Sequence, residues 1–182
     1  MRVVSGSARG RKLETPKNMD TRPTSDMVKE AVFNIIQVKV PEARVLDLFS
    51  GTGQLGIEAL SRGAEYCVFI DDSRDTLALT ARNIAHTGFD EQSKAICTGA
   101  LEYIARAEQF DIIFLDPPYD TGLMGKALEK IIEFDILREH GIIVCESRAE
   151  REMPEFTAPY RKSREYRYGK KKITLYEKEQ SA

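Results

Sequence analysis

From Arg44 onward, short apolar runs alternate with stretches in which apolar residues recur every three or four positions. Residues 45–49 form the first run, Val45-Leu46-Asp47-Leu48-Phe49, followed by a glycine-rich turn and a helical pattern over residues 55–62. Residues 66–70 form a second run. Leu77, Leu79, Ala81, Ile84 and Ala85 then support a helix that ends near Gly88. A third run covers 95–97, with a short helix over 101–107. A fourth covers 110–115, with a helix over 123–134, and a fifth covers 141–145. Strands that alternate with helices in this way predict an α/β fold with a parallel sheet covered on both faces. The end of the chain departs from the pattern. Residues 161–168 and 172–176 read as two strands around Gly169-Lys170-Lys171, a hairpin that would finish the sheet with an antiparallel pair.

The first forty residues follow neither rhythm. Residues 1–18 read as a short β-hairpin or extended arm, with Val3, Val4 and Leu13 as apolar points and Gly6 and Gly10 as turns. Pro23 stops it by restricting Arg22. Thr24 or Ser25 can cap a helix whose apolar face would be Val28, Ala31, Val32, Ile35 and Ile36, and Pro41 closes that segment. Two parts are therefore expected: an arm and helix over 1–40, and an α/β domain over 41–182.

Composition narrows the class. Of 182 residues, 42% are hydrophobic, enough for one core. No apolar run approaches the roughly 20 residues of a membrane helix, and residues 1–4 do not begin a secretory signal. A cytoplasmic protein is expected. Cys67, Cys97 and Cys145 lie in or beside apolar runs without C-x-x-C spacing, so buried small side chains are expected, not a disulfide framework or zinc site. His86 and His140 lack metal-motif spacing, and no metal is expected. The net charge of −2 conceals an uneven layout. Residues 1–23 carry +4, residues 24–159 carry −11, and residues 160–182 carry +5. Basic ends on an acidic body suit local contact with a polyanion.

Three segments carry candidate chemistry. In Asp47-Leu48-Phe49-Ser50-Gly51-Thr52-Gly53-Gln54-Leu55-Gly56, glycines at a strand end allow a ligand to approach the backbone. The spacing of Gly51, Gly53 and Gly56 satisfies a dinucleotide fingerprint. Asp47 points elsewhere, because a carboxylate there suits a ligand bearing ammonium and sulfonium charge better than a pyrophosphate. Asp71-Asp72, after the second strand, are placed to accept ribose hydroxyls. Asp116-Pro117-Pro118-Tyr119, after the fourth strand, forms a stiff turn. There the Asp116 carboxylate and the Pro117 carbonyl could each take one hydrogen of an exocyclic amine, while its ring stacks on Tyr119.

Taken together, these segments resemble the amino-methylating branch of class I methyltransferases. The opening Arg2-x-x-Ser5-Gly6-x-x-x-Gly10-Arg11-x-Leu13, then Thr21-Arg22-Pro23-Thr24-Ser25-Asp26, Glu30-Ala31-Val32-Phe33-Asn34, Leu60-Ser61-Arg62-Gly63-Ala64 and Tyr168-Gly169, is similar to the RsmD-type bacterial 16S ribosomal RNA guanine-N2 methyltransferases. The resemblance implies a seven-stranded sheet of order 3-2-1-4-5-7-6 with strand 7 antiparallel. It implies S-adenosylmethionine as cofactor, with 16S rRNA in the small ribosomal subunit or an assembly intermediate as partner. Carried over by position, Asp47, Phe49, Ser50, Gly51 and Gly53 would surround the methionine part. Asp71 and Asp72 would hold the ribose, and the backbone at Gly99 and Ala100 the adenine. Asp116, Pro117, Pro118 and Tyr119 would hold the guanine. Arg9, Arg11, Lys12, Arg22 and Thr24 would touch RNA, from an arm near the mouth of the pocket. Thr98-Gly99-Ala100 departs from the family, which often has Asp or Asn after the third strand, so backbone groups would have to serve the adenine.

The expected reaction is direct in-line attack of a flipped guanine N2 on the cofactor's methyl carbon, without a covalent enzyme nucleophile. The rivals are a nicotinamide dehydrogenase, a protein-glutamine methyltransferase and an inactive RNA-binding module.

Overall fold

The computed structural model describes residues 1–17 and 26–180. The turn at Pro23, the helix cap at Thr24 or Ser25, and the expected RNA contacts Arg22 and Thr24 lie outside the described residues. Helix α1 (Asp26–Ile36) leads to strand β1 (Arg44–Asp47), helix α2 (Gln54–Ser61) and strand β2 (Tyr66–Asp71). Helix α3 (Arg74–Thr87), strand β3 (Ser93–Cys97), helix α4 (Ala100–Ile104), strand β4 (Phe110–Leu115) and helix α5 (Leu123–Phe134) follow. Strands β5 (Leu137–Arg148), β6 (Tyr160–Tyr168) and β7 (Lys171–Lys178) complete the chain. They make one seven-stranded sheet of order β3-β2-β1-β4-β5-β7-β6. Strands β1 to β5 pair in parallel, and β7 runs antiparallel between β5 and β6. This is the architecture expected from the sequence.

Strand side chains alternate between two cores. Val45, Phe69, Phe114, Val144 and Ile173 face α1, α2 and the N-terminal arm. Leu46, Val68, Ile113, Ile143 and Tyr176 face α4 and α5. Central strands buried on both faces have no polar phase, which explains their near-continuous apolar character. Local signals set the ends of α3. The Ser73 hydroxyl accepts from the Thr76 amide, and Gly88 closes the helix at φ 81°.

The N-terminal arm is more deeply built in than its composition suggests. Arg2 and Lys12 bridge antiparallel, and Val3, Ala8 and Leu13 are buried in the core shared with α1 and α2. A buried ion pair anchors it. Lys29 and Glu58 lie 3.7 Å apart with both side chains fully buried. The Lys29 ammonium donates to the Arg2 carbonyl at 2.6 Å. The Glu58 carboxylate accepts the amides of Val4 and Ser5 at 2.9 and 3.0 Å, and Arg62 Nε at 2.9 Å. Burial lowers the Lys29 pKa, and Glu58 opposes that shift. The buried face of α1 is Val28, Lys29, Val32, Phe33 and Ile36, while Ala31 and Ile35 are only half-buried. A lysine in that row is invisible to an apolar count.

Two further expectations change. Cys67 and Cys145 are buried but Cys97 is exposed, because β3 is an edge strand with a largely solvated surface. The β6–β7 turn is Gly169-Lys170 alone, because Lys171 and Lys172 already pair within β7. Lys172 is buried and donates to the Arg151 carbonyl. Among the described residues, no helix is long and apolar enough to cross a membrane.

Candidate active site

The chemistry-bearing segments converge at the carboxyl ends of β1, β2, β4 and β5, where open α/β sheets bind ligands. Asp47 ends β1. It is 2% exposed, and its Oδ2 accepts the Gly56 amide at 3.1 Å. A side chain at position 56 would collide with the Phe69 ring and Cys67 Sγ, so glycine lets α2 pack closely enough to deliver that amide. Burial raises the Asp47 pKa to about 7; the Gly56 bond opposes the shift and the nearby Asp71 charge adds to it. The glycine loop is pinned from beneath. The Thr80 hydroxyl donates to the Gly51 carbonyl at 2.6 Å, and Asn83 Nδ2 to the Thr52 carbonyl at 2.9 Å. Gly51 sits at φ 56° and faces open space, which leaves room for a ligand against the backbone.

Asp71 accepts the Gly51 amide at 3.1 Å and the Ser73 amide at 3.0 Å. It is half-buried, and burial raises its pKa. Asp72 is exposed beyond it. Ser50 is buried, with its hydroxyl 3.5 Å from that of Thr80. Phe49 packs half-buried against the α4–α5 core. Gly99 and Ala100 open α4 without a side-chain cap, which leaves first-turn amides available. Gln54 Oε1, at the start of α2, is a buried acceptor with no partner among the described residues.

Asp116 follows β4 directly and is half-buried. Neither its carboxylate nor the Pro117 carbonyl receives a hydrogen bond from a described residue. Burial raises the Asp116 pKa well above the usual carboxylate range, and Glu146 raises it further. Pro117, Pro118 and Tyr119 line a cleft with Glu146, Ser147 and Arg151. The Arg148 guanidinium lies 5.1 Å from the centre of the 40%-exposed Tyr119 ring and pairs with Asp120 at 3.1 Å.

The sequence does not mark Glu146, Arg148 and Arg151 as site residues, and it marks Lys171 only as part of a turn. Glu146 is 5% exposed, and its carboxylate meets Lys171 Nζ at 2.8 Å. A signal for it existed, since it follows the apolar run 141–145 as Asp116 follows 110–115. The arm residues are not brought to the cleft. Arg11 donates to the His86 carbonyl at 2.7 Å, and Ser7 bonds the Ser61 carbonyl. These are the carboxyl ends of α3 and α2, which lead into the amino ends of β3 and β2, opposite the strand ends that carry the cleft. Arg9 and Lys12 are exposed on the same hairpin. Among the described residues, no group of three or more His, Cys, Asp or Glu could hold a metal ion.

A family model described as Conserved hypothetical protein 95 matches residues 1–177. The YlbH protein of Bacillus subtilis (strain 168) is 39% identical over 182 residues, covering 98% of this chain and 99% of its own length. Ribosomal RNA small subunit methyltransferase D of Escherichia coli (strain K12) is 32% identical over 180 residues, covering 98% and 90%. The solved structure of yhhF from Escherichia coli superposes with a TM-score of 0.89 at 30% identity, covering 100% of this chain and 99% of that one.

Proposed function

The chain belongs to the family described as Conserved hypothetical protein 95, that of ribosomal RNA small subunit methyltransferase D, and on that premise we propose that it methylates the exocyclic N2 amine of a guanine in 16S ribosomal RNA, with S-adenosylmethionine as donor. The observation that carries the site-level reading is the pair of acceptors without a described donor, the Asp116 carboxylate and Pro117 carbonyl, at a cleft lined by Pro117 and Tyr119. Two neighbouring acceptors without a protein donor, one of them on the half-buried Asp116, suit a ligand with two donors on one atom. A primary aromatic amine is such a group.

The residues present suit the cofactor. Asp47 and Asp71 make the ends of β1 and β2 acidic, which favours ammonium and sulfonium groups and disfavours a pyrophosphate. The lone acceptor Gln54 Oε1 calls for a donor of the kind an ammonium carries. Asp47 and the backbone of Gly51 and Gly53 would hold the methionine part, with Phe49 beside it. Asp71, with Asp72 at the rim, would hold the ribose, and the first-turn amides at Gly99 and Ala100 the adenine. When bound, the cofactor supplies an electrophilic methyl group on a sulfonium. Asp116 and Pro117 orient the amine so that its lone pair leaves ring conjugation. Asp116 then offsets positive charge developing on nitrogen and can take the released proton. Tyr119 stacks on the base, and Arg148, which lies over that ring in the free protein, has to yield one face. Catalysis by positioning and electrostatics suffices, because the amine is itself the nucleophile.

In this reading residues 41–182 carry methyl transfer and 1–40 contribute RNA contact. Because Arg9, Arg11 and Lys12 do not line the cleft, they would hold phosphates of RNA that extends beyond the target nucleotide, together with Arg22 and Thr24. The substrate would be the small subunit or its assembly intermediate, in the cytoplasm. The test is transfer of labelled methyl to small subunits from cells lacking the protein, followed by nucleoside mapping. Label in N2-methylguanosine at one position supports the reading. Label in a protein or another nucleoside refutes it.

A further inference from the structure

The pair Glu146–Lys171 is not needed to hold an amine in the Asp116–Pro117 corner, yet the buried Glu146 lines the same cleft and the half-buried Lys171 is bonded to it. Register explains its position. Leu115 of β4 pairs with Cys145 of β5, so Asp116 and Glu146 occupy the next step on adjacent strands. Both continue the sheet face of Phe114 and Val144. Lys171 stands on β7 two residues before Ile173, the register partner of Glu146, and its ammonium reaches the carboxylate at 2.8 Å. Burial is the largest influence on Lys171 and works against its charge, but the Glu146 bond and charge, with Tyr119 and Asp116, together outweigh it and its pKa is raised. One cation and one anion thus stand side by side next to the corner. A lysine ammonium has three donors, so two remain after the bond to Glu146.

We propose that Glu146 and Lys171 read the Watson–Crick edge of the target base, accepting an amine flanked by a ring N–H and refusing an amine flanked by a ring lone pair. The inference rests on the methyl-transfer reading above and deepens it to base selection. Guanine carries, in sequence along that edge, the N2 amine, the N1–H donor and the O6 acceptor. With N2 at Asp116 and Pro117, the N1–H can donate to the Glu146 carboxylate, and O6 can accept from the Lys171 ammonium. Adenine and cytosine also carry exocyclic amines, but the ring nitrogen beside each is an acceptor on this edge. A lone pair there would face a buried carboxylate with no proton between them. The same repulsion orients guanine, since turning it over would set the N3 lone pair against Glu146. Selection of this kind is strong, because the wrong base sets a ring lone pair against the buried Glu146 carboxylate where guanine would donate a hydrogen bond.

The test uses the enzyme with S-adenosylmethionine and small subunits reconstituted with guanine, 2-aminopurine or 2,6-diaminopurine at the mapped target position. All three keep the 2-amine. 2-Aminopurine loses the N1–H and O6, and 2,6-diaminopurine in addition places an amino group against Lys171. Single-turnover rates should fall in the order guanine, 2-aminopurine, 2,6-diaminopurine, with the first step about 100-fold, the scale of a lost charge-assisted bond with its partner left buried. Glu146→Gln keeps the shape and offers a donor as well as an acceptor. It should narrow the guanine to 2-aminopurine ratio at least about tenfold while cofactor affinity stays within about twofold. Equal wild-type rates on guanine and 2-aminopurine would overturn the proposal with no variant needed, as would an unchanged ratio in Glu146→Gln. If wild-type enzyme methylates no guanine in any subunit, the function reading itself has failed.

Discussion

Asp47 should make cofactor binding depend on pH near neutrality. In the free protein its pKa is about 7, because burial outweighs the single amide bond from Gly56. A ligand bearing ammonium and sulfonium charge binds the ionised form, so its arrival should release the proton. At pH 6 only about a tenth of the free protein has Asp47 ionised, against roughly three quarters at pH 7.5. Affinity for S-adenosylmethionine should therefore fall roughly 20-fold between pH 7.5 and pH 5.5. The window stops below about 7.7, where an α-amino group starts to lose its own charge. Calorimetry in two buffers of different ionisation heat should count nearly one proton released at pH 6. Asp47→Asn should bind at least about tenfold more weakly at pH 7.5 and lose the slope. The same residue fixes a stability trend. Its folded pKa lies above its unfolded value, so the folded state holds more protons between about pH 4 and pH 7, and stability is lost as pH rises through that window. The loss is at most about 4 kcal/mol, from about 1.4 kcal/mol per pKa unit. Asp47→Asn, which can keep the Gly56 bond, should thus melt higher than wild type at pH 7.5. A flat affinity profile would refute the argument. So would an undiminished slope in Asp47→Asn, which would move the titration to Asp116.

Three other outcomes are expected. Asp116→Asn should lower single-turnover methyl transfer by about 100-fold or more and leave cofactor affinity nearly intact, since Asp116 acts on the amine; a near-normal rate excludes it from the corner. Glu58→Ala strands the buried Lys29 ammonium and frees the Val4 and Ser5 amides, so it should cost about 3 kcal/mol or more in denaturant unfolding, and a loss under about 1 kcal/mol would show that the arm is held otherwise. Replacing Arg9, Arg11 and Lys12 by alanine should reduce the salt slope of subunit binding without changing cofactor affinity, because each phosphate contact releases counterions; an unaltered slope removes the arm from the RNA interface.

The alternation that revealed the sheet was legible because β1, β2, β4 and the second half of β5 are buried on both faces, and a doubly buried strand can be written only in apolar residues. The attachment of the N-terminal arm is illegible for the opposite reason. Its attachment runs through backbone amides of Val4 and Ser5 to the Glu58 carboxylate, and through the Arg2 carbonyl to Lys29. Backbone donors and acceptors are the same in every residue, so such an attachment leaves no trace in the arm's own side chains. Its trace lies in α1 and α2, as a lysine and a glutamate at positions that the helical period assigns to the core. Cys97 failed through the same logic in reverse. An apolar triplet at 95–97 was read as buried, but a strand at the sheet's edge needs to bury little of itself.

The site shows how much a strand phase can disclose once the sheet is known. Asp47 stands two residues beyond Val45, Asp71 beyond Phe69, Asp116 beyond Phe114 and Glu146 beyond Val144, and all four of those apolar residues belong to one core. Residues two apart share a face, so each parallel strand that carries an apolar residue into that core carries a carboxylate on the same face at its end. One such carboxylate is a common accident; four in the same phase make a row. The row spans both sides of the β1–β4 step, where the strand order reverses and a crevice opens. Three of the four could be singled out because glycines, a doublet of acids or a pair of prolines marked them. Glu146 had no such mark, and Lys171 lies on an antiparallel strand whose register cannot be read from the sequence. Their meeting at 2.8 Å depends on β7 inserting between β5 and β6, a pairing of residues 25 positions apart. The part of the site that holds a cofactor was therefore open to local reading, and the part that would choose among bases emerged only with the sheet.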